Sequence, residues 1–253
     1  MKSYKLIGFG PKKVLLFPGL LGTQDAFNQM LKYADLENFQ YAIAEYRGYG
    51  GSKNLPGLFN LREVVIDAYK LVEFLGWKDF AIGGHSIGAL AAQMVAIAMP
   101  QRVGSIVSIA GMSAKGGSRD PDRMALLNAA ANSAEHREQM VAGGTAGRYT
   151  PGFARTEVAA TFDSIDPLAF ASYAKDASQT DVSEEAKNLP MPILALVGEH
   201  DPACSEQAAR ATTSEIYRTA SVEVIAGAGH YPHCEAPIAT LTLIEKFLST
   251  SAR

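Results

Sequence analysis

The chain reads as an α/β protein: a mostly parallel sheet flanked by helices on both faces, with a helical cap inserted before the acid-bearing strand. Three observations predict it. Short, continuous apolar runs recur at residues 14–17, 41–44, 79–83, 103–109, 192–197 and 222–226, and runs without polar alternation suit strands buried on both faces. Between most of them lie segments of helical periodicity, the pattern of βαβ crossovers. A serine, an aspartate and a histidine each stand just beyond a different run, at the sheet edge where such folds bind ligands.

The elements follow in order. Residues 5–8 form the one strand expected before Gly10-Pro11. The run 14–17 ends at Pro18-Gly19, and Thr23 or Asp25 is placed to cap a helix reaching about Ala34. The strand 41–44 leads into the glycine-rich turn 47–52. Leu61, Val64, Val65, Ala68, Leu71, Val72 and Leu75 then recur at helical spacing, with Arg62, Glu63, Asp67, Lys70 and Glu73 opposite. That stripe is packing surface. Residues 79–83 are a strand, and 87–99 an alanine-rich helix stopped by Pro100. After the strand 103–109 the rhythm breaks. Residues 113–188 hold no convincing strand, only a helix near 122–142, a glycine-rich break at 143–147, and two short helices. One begins at Asp166-Pro167, and the other at Asp181 with Glu184 as a capping box. Such an insertion is most simply a lid over the C-terminal edge of the sheet. The strands 192–197 and 222–226 and a helix over 237–248 close the chain. Residues 1–112 and 189–253 are thus read as the core domain and 113–188 as the lid.

Composition narrows the function. At 253 residues, 47% apolar and 19% charged, the chain has the profile of an ordinary soluble protein. A net charge of −3 with scattered Lys and Arg offers nothing to nucleic acid or anionic lipid. The first residues hold no apolar stretch of signal-peptide length, and Cys204 and Cys234 make no disulfide framework, so a reducing cytoplasm is expected. The expected partner is a small-molecule substrate, with no nucleic acid and no membrane; monomer and homodimer both stay open.

The chemistry centres on Gly84-His85-Ser86-Ile87-Gly88, between an apolar strand and a helix. A serine flanked by glycines at that bend is a nucleophile elbow, because the turn forces a sparsely allowed backbone that lifts the hydroxyl clear of the sheet. A serine needs a base, and the base needs a third group to fix its tautomer. His230, in Ala226-Gly-Ala-Gly-His230, and Asp201, in Gly198-Glu-His-Asp201, supply these. Asp120 and Asp122, at the lid entrance, are weaker candidates for the acid. The oxyanion donors expected are the amides of Ile87, at the positive end of the elbow helix, and Leu20, after the strand 14–17. Leu21, Phe27 and His85 are the candidate substrate-binding residues. The lid is expected to add Met124, Leu126, Leu127, Met140, Leu168 and Phe170, and Arg148 or Arg155 could clamp a carboxylate. No metal is expected: Pro232 separates His230 from His233, and His200 with Asp201 lacks further ligands. Both cysteines read as small buried hydrophobes.

Five pieces, Leu16-Phe-Pro-Gly19, Tyr46-Arg-Gly-Tyr-Gly-Gly-Ser52, the elbow, Val197-Gly-Glu-His-Asp201 and Gly227-Ala-Gly-His230, resemble the α/β-hydrolase fold superfamily over nearly the whole chain. The resemblance implies a Ser86, Asp201, His230 triad with Leu20 and Ile87 as oxyanion donors, no cofactor, and a lid between the family's sixth and seventh strands. Pro18-Gly19 departs from the family's common His-Gly, and the short N-terminus implies a clipped first hairpin. The activity implied is hydrolysis of a small or medium apolar ester, lactone or thioester. Carbon–carbon bond hydrolases, hydroxynitrile lyases and cofactor-free oxygenases share the scaffold and stay open, as does a ligand receptor. Carbon–carbon hydrolases usually carry asparagine where this chain has His85.

Overall fold

The structure, a computed structural model, describes residues 3–251; the ends of the expected core domain, 1–2 and 252–253, lie outside the described residues. Its strands are β1 (Tyr4–Gly8), β2 (Lys12–Phe17), β3 (Phe39–Ala44), β4 (Phe80–His85), β5 (Val103–Ile109), β6 (Ile193–Gly198) and β7 (Ala220–Ile225). Its helices are α1 (Asn28–Leu31), α2 (Leu61–Phe74), α3 (Ile87–Ala98), α4 (Pro121–Ala130), α5 (Ala134–Gly144), α6 (Pro151–Phe162), α7 (Pro167–Gln179), α8 (Ser183–Ala186), α9 (Glu206–Ile216), α10 (Pro232–Glu235) and α11 (Pro237–Thr250). Among the described residues no helix is long and apolar enough to cross a membrane.

The strands make one seven-stranded sheet in the order β1-β3-β2-β4-β5-β6-β7. Only β1 runs antiparallel, pairing with β3 at the edge. It is the single strand expected ahead of Gly10-Pro11. Alternate residues of each inner strand feed opposite faces. Leu15 and Phe17 join Ala42, Ile82, Ile106 and the helices α2 and α3 on one face. Val14 and Leu16 join Tyr41, Val107, Leu194 and the helices α1 and α11 on the other. Burial on both faces is why these runs lack polar alternation. The chain steps from β2 outward to β3 and returns to β4 on the other side of β2, so the strand order reverses between β2 and β4. A crevice opens at such a reversal, beyond the carboxyl ends of the two strands.

Helix α2 packs as its periodicity predicts, and Asn60 caps it by accepting from the Glu63 amide (2.9 Å). Asp67, assigned to its polar face, is instead buried and ion-paired to Arg47 at 2.7 Å. Residues 113–188 carry α4 to α8. The single helix expected over 122–142 is two helices: Ser133 caps α5 through the His136 amide (3.3 Å), ending the run begun by α4. Asp166 caps α7 with Pro167 following, as expected. The capping box at Asp181 does not form, because Asp181 Oδ1 accepts from the Ser183 amide and hydroxyl while Glu184 pairs with Lys187. Toward the N-terminus, the helix expected to run to Ala34 shrinks to α1 with no side-chain cap, since Asp25 bonds Lys5 and Asn28.

Arg137 holds the turn between α4 and α5. It is fully buried and donates from Nε to the Ala130 carbonyl (2.9 Å), from Nη1 to Thr161 (3.1 Å) and from Nη2 to Ala131 (3.2 Å). Its guanidinium also lies 4.8 and 4.9 Å from the ring centres of Phe162 and Phe170. One side chain thereby satisfies carbonyls at the end of α4 and in α6. Arg137→Met strands those acceptors in the interior, and a loss of about 2–4 kcal/mol in unfolding free energy is expected. Urea unfolding measures it; a loss below about 1 kcal/mol would contradict this assignment.

Candidate active site

Strand β4 delivers His85 and Ser86 to the crevice. Ser86 has φ 53° and ψ −118°, a left-handed conformation that serine rarely adopts and that the surrounding backbone enforces. Its amide donates to the Ile109 carbonyl (3.0 Å), and its own carbonyl accepts from the amides of Ala89 and Met112 (both 3.0 Å). A Cβ at Gly84 would strike the backbone of Gly88, and one at Gly88 would strike the carbonyls of Phe17 and Pro18. The glycines are thus needed for the approach of α3 to both β4 and β2.

His230 Nε2 lies 3.1 Å from Ser86 Oγ, and His230 Nδ1 lies 2.8 Å from Asp201 Oδ2. With Nδ1–H donating to the carboxylate, Nε2 carries the lone pair facing the serine hydroxyl. Asp201 follows β6, and its Oδ1 accepts from the amides of Ala203 (2.8 Å) and Cys204 (3.1 Å). Burial works to raise the Asp201 carboxyl, but the bond and charge of His230 and these amides outweigh it. The group is held below the ordinary carboxylate range.

The loop after β2 is fixed through its carbonyls: Tyr46 Oη donates to Pro18 O (2.7 Å) and Tyr49 Oη to Leu20 O (3.0 Å). The Leu20 and Ile87 amides donate to no acceptor among the described residues, and both residues line the cavity at Ser86. That cavity, about 430 Å³, is walled from the core by Leu20, Leu21 and Ile87 and from the insertion by Leu126, Leu127 and Met140. A smaller one of about 200 Å³ also reaches Ser86 and His230, and is lined by Gln93, Ser108, Thr213 and Tyr217.

Of the expected substrate-binding residues, Leu21 and His85 line the larger cavity and Phe27 does not. Phe27 is fully buried, packed into the opposite face of the sheet with its ring 5.2 Å from that of His233. Met124, Leu168 and Phe170 are also absent from the walls; Leu168 is 67% exposed and Phe170 belongs to the core. Arg148 is no clamp, since it pairs with Glu235 (3.2 Å), and Arg155 does not reach the cavity. Cys204 donates to the Gly111 carbonyl (3.1 Å), with burial pushing its thiol up to about 12. Cys234 Sγ lies 3.5 Å from Glu157 Oε2. Among the described residues no group of three or more His, Cys, Asp and Glu could hold a metal ion.

One part of the site escaped the sequence reading. Glu235, its side chain wholly buried, accepts from the amides of Gly229 and Tyr231 (both 2.8 Å) and so clamps the chain on both sides of His230. His85 Nε2 lies 2.7 Å from the His230 carbonyl, which can only accept, so Nε2 carries a proton and donates it there. Burial first, and the nearby imidazoles of His233 and His230 second, keep it neutral. A glutamate five residues past the histidine was the one signal available for the clamp.

A model of the alpha/beta hydrolase fold matches residues 12–237. A 3-oxoadipate enol-lactonase of Acinetobacter baylyi is 25% identical over 208 residues, 79% of this chain and 76% of that protein. An enol-lactonase from Burkholderia xenovorans superposes with a TM-score of 0.81 at 20% identity, covering 98% of this chain and 96% of the other. A thermophilic esterase from Thermogutta terrifontis gives 0.84 at 19% identity, covering 99% and 94%.

The buried imidazoles make folding sensitive to acid. His233 is 3% exposed, and burial, then the neighbouring His230, draws it down to about 3. In the unfolded chain His85 and His233 take up protons below about pH 6.5, whereas the folded protein resists this. Unfolding therefore binds protons, and stability falls as pH drops through the window from about 6.5 toward 3. Each histidine adds a slope of about 1.4 kcal/mol per pH unit. His233→Phe is expected to flatten the dependence by that amount between pH 6 and pH 4.5, read from urea unfolding; an unchanged slope would show that His233 is protonated in the folded protein.

Proposed function

The chain belongs to the alpha/beta hydrolase fold family, and on that premise we propose that it is a serine hydrolase cleaving an apolar carboxylic ester, lactone or thioester through an acyl-enzyme on Ser86. The observation that carries this reading is the continuous hydrogen-bonded line from Ser86 Oγ through His230 to Asp201, at 3.1 and 2.8 Å. The names of the esterase and enol-lactonase among its relatives support an ester-type bond over a carbon–carbon bond.

Ser86 Oγ attacks the carbonyl carbon while its proton passes to His230 Nε2. Asp201 stabilises the imidazolium and keeps the ring in its orientation. The carbonyl oxygen, now an oxyanion, is received by the amides of Leu20 and Ile87, whose donors face no competing acceptor. Collapse of the tetrahedral adduct breaks the bond to the alcohol or thiol, which leaves with the proton returned by His230. A lactone's alcohol stays tethered to the acyl group. Water then attacks the acyl-enzyme, giving its proton to His230, and a second collapse releases the acid and returns that proton to Ser86. Water is the only co-reactant, so no cofactor is invoked. We read residues 113–188 as a lid, because α4 and α5 supply the far wall of the cavity and Gly144 O accepts from the His230 amide (2.9 Å).

A fluorophosphonate should add once to the wild type, as seen by intact mass, and not to Ser86→Ala. On an ester and lactone panel, Ser86→Ala and His230→Ala should each lose several orders of magnitude in kcat with little change in Tm. Either variant retaining more than about a tenth of wild-type turnover would overturn the triad.

A further inference from the structure

We propose that Arg123 receives a carboxylate carried by the substrate, so that the preferred substrate is a monoanionic ester or lactone of a dicarboxylic acid. This rests on the serine-hydrolase reading and names its substrate class.

Arg123 lies in the first turn of α4 and lines both cavities that meet at Ser86 and His230. Among the described residues it is the one lysine or arginine in either wall. Arg123 is exposed at the cavity rim, and like Arg62, Arg155 and Arg218 its guanidinium has neither an ion pair nor a hydrogen bond to a described residue; of these four it alone lines the cavities. The acids nearby are otherwise engaged. Asp120 Oδ1 accepts from the Arg123 amide, not its side chain, and neither Asp120 nor Asp122 pairs with the guanidinium. In the larger cavity Asp25 is held by Lys5 (2.6 Å), and Glu157 stands beside Cys234, its carboxyl raised by burial. Neither acid reaches Arg123, which leaves its guanidinium, among the described residues, as the one cation there open to an entering anion. Arg123 also shares the wall of the smaller cavity with Ala203 and Cys204, which follow Asp201 in the same loop.

The wall is otherwise largely apolar, with Leu20, Leu21, Leu126, Leu127 and Met140, so one cation imposes a polarity on whatever enters. A single planar fork matches a carboxylate, which it can hold by two parallel N–H···O bonds. A phosphate dianion would call for a second cation, and neither wall offers one. An alkyl ester bearing a distal carboxylate satisfies both features: the methylenes lie against the leucines and the acid reaches Arg123.

The experiment compares monomethyl adipate with dimethyl adipate, which share a scissile ester and differ in one charge. Wild type should favour the monoester in kcat/KM by about fivefold or more, mainly through KM, and the preference should shrink as salt rises from about 0.05 to 0.5 M. Arg123→Gln should abolish the preference, and Arg123→Lys should restore part of it. A purely structural role would lower both esters together and leave their ratio intact, which would overturn the proposal, as would a wild type that favours the diester. A second measurement is independent of turnover. Adipate should raise the Tm of Ser86→Ala but not of Ser86→Ala with Arg123→Gln, and equal shifts, or no shift, would count against the subsite. Failure of wild type on both esters and with the fluorophosphonate would reject the hydrolase reading itself.

Discussion

Everything at the site depends on one steric constraint, the backbone-to-backbone approach of α3 to the ends of β2 and β4. Gly84 and Gly88 have no room for a Cβ, because their neighbours there are main-chain atoms that cannot move aside. That approach holds Ser86 at φ 53°, a conformation costing on the order of 1–3 kcal/mol. Burial of Leu90, Ala91, Ala92 and Val95 along α3 offsets it. The same approach sets the start of α3 beside the loop after β2. The two amides assigned to the oxyanion therefore come from segments whose spacing is fixed by the sheet, where Phe17 pairs with Gly84.

A second arrangement fixes His230. His85 leaves β4 immediately before Ser86, donates to the His230 carbonyl, and has its Nδ1 edge where a side chain on Gly19 would sit. One neutral imidazole thus touches β4, the loop before Leu20 and the loop carrying His230. Protonating it would place an uncompensated charge between three segments with no carboxylate to receive it, which is why burial keeps it neutral. From the other side Glu235 takes the amides flanking His230, and Arg148 balances its charge. His230 is therefore held by its backbone from two directions, and its side chain need only meet Asp201 and Ser86.

The strands, the elbow and the order of Ser86, Asp201 and His230 were legible because each is written in contiguous residues whose pattern has a local cause. What was not legible was decided by distant partners. Thr23 and Asp25 look like helix caps, but Asp25 finds Lys5 on the neighbouring strand and Thr23 Oγ1 accepts from the Asp25 amide (3.4 Å), so α1 begins only at Asn28. Residues 122–142 read as one helix until Arg137, with partners 6, 7 and 24 residues away, stabilises the turn between α4 and α5. Phe27 follows the loop nearest Ser86, yet its side chain turns to the opposite face, a choice that sequence proximity cannot register. Helices α6 and α9 were missed because few of their residues are apolar and buried: in α9 only Thr213 and Ile216 are buried.

Machinery and walls have different origins in this chain. Ser86, Asp201, His230 and both assigned oxyanion amides come from the sheet edge, whereas Arg123, Leu126, Leu127 and Met140 come from α4 and α5. Substitutions in these helices can redirect substrate choice without disturbing the elbow, whose glycine contacts are all with the core. The separation stops at the end of α5. There the Gly144 carbonyl accepts from the His230 amide, and a Cβ on Gly229 would press against Gly144 and Thr145. A displacement of α5 therefore acts on His230 as well as on the wall, and the turn stabilised by Arg137 lies at the opposite end of that same helix. Core packing in the insertion is for this reason tied to the position of His230 through the backbone of one residue, and the tolerance of residues 113–188 to change should decline along α5 toward Gly144.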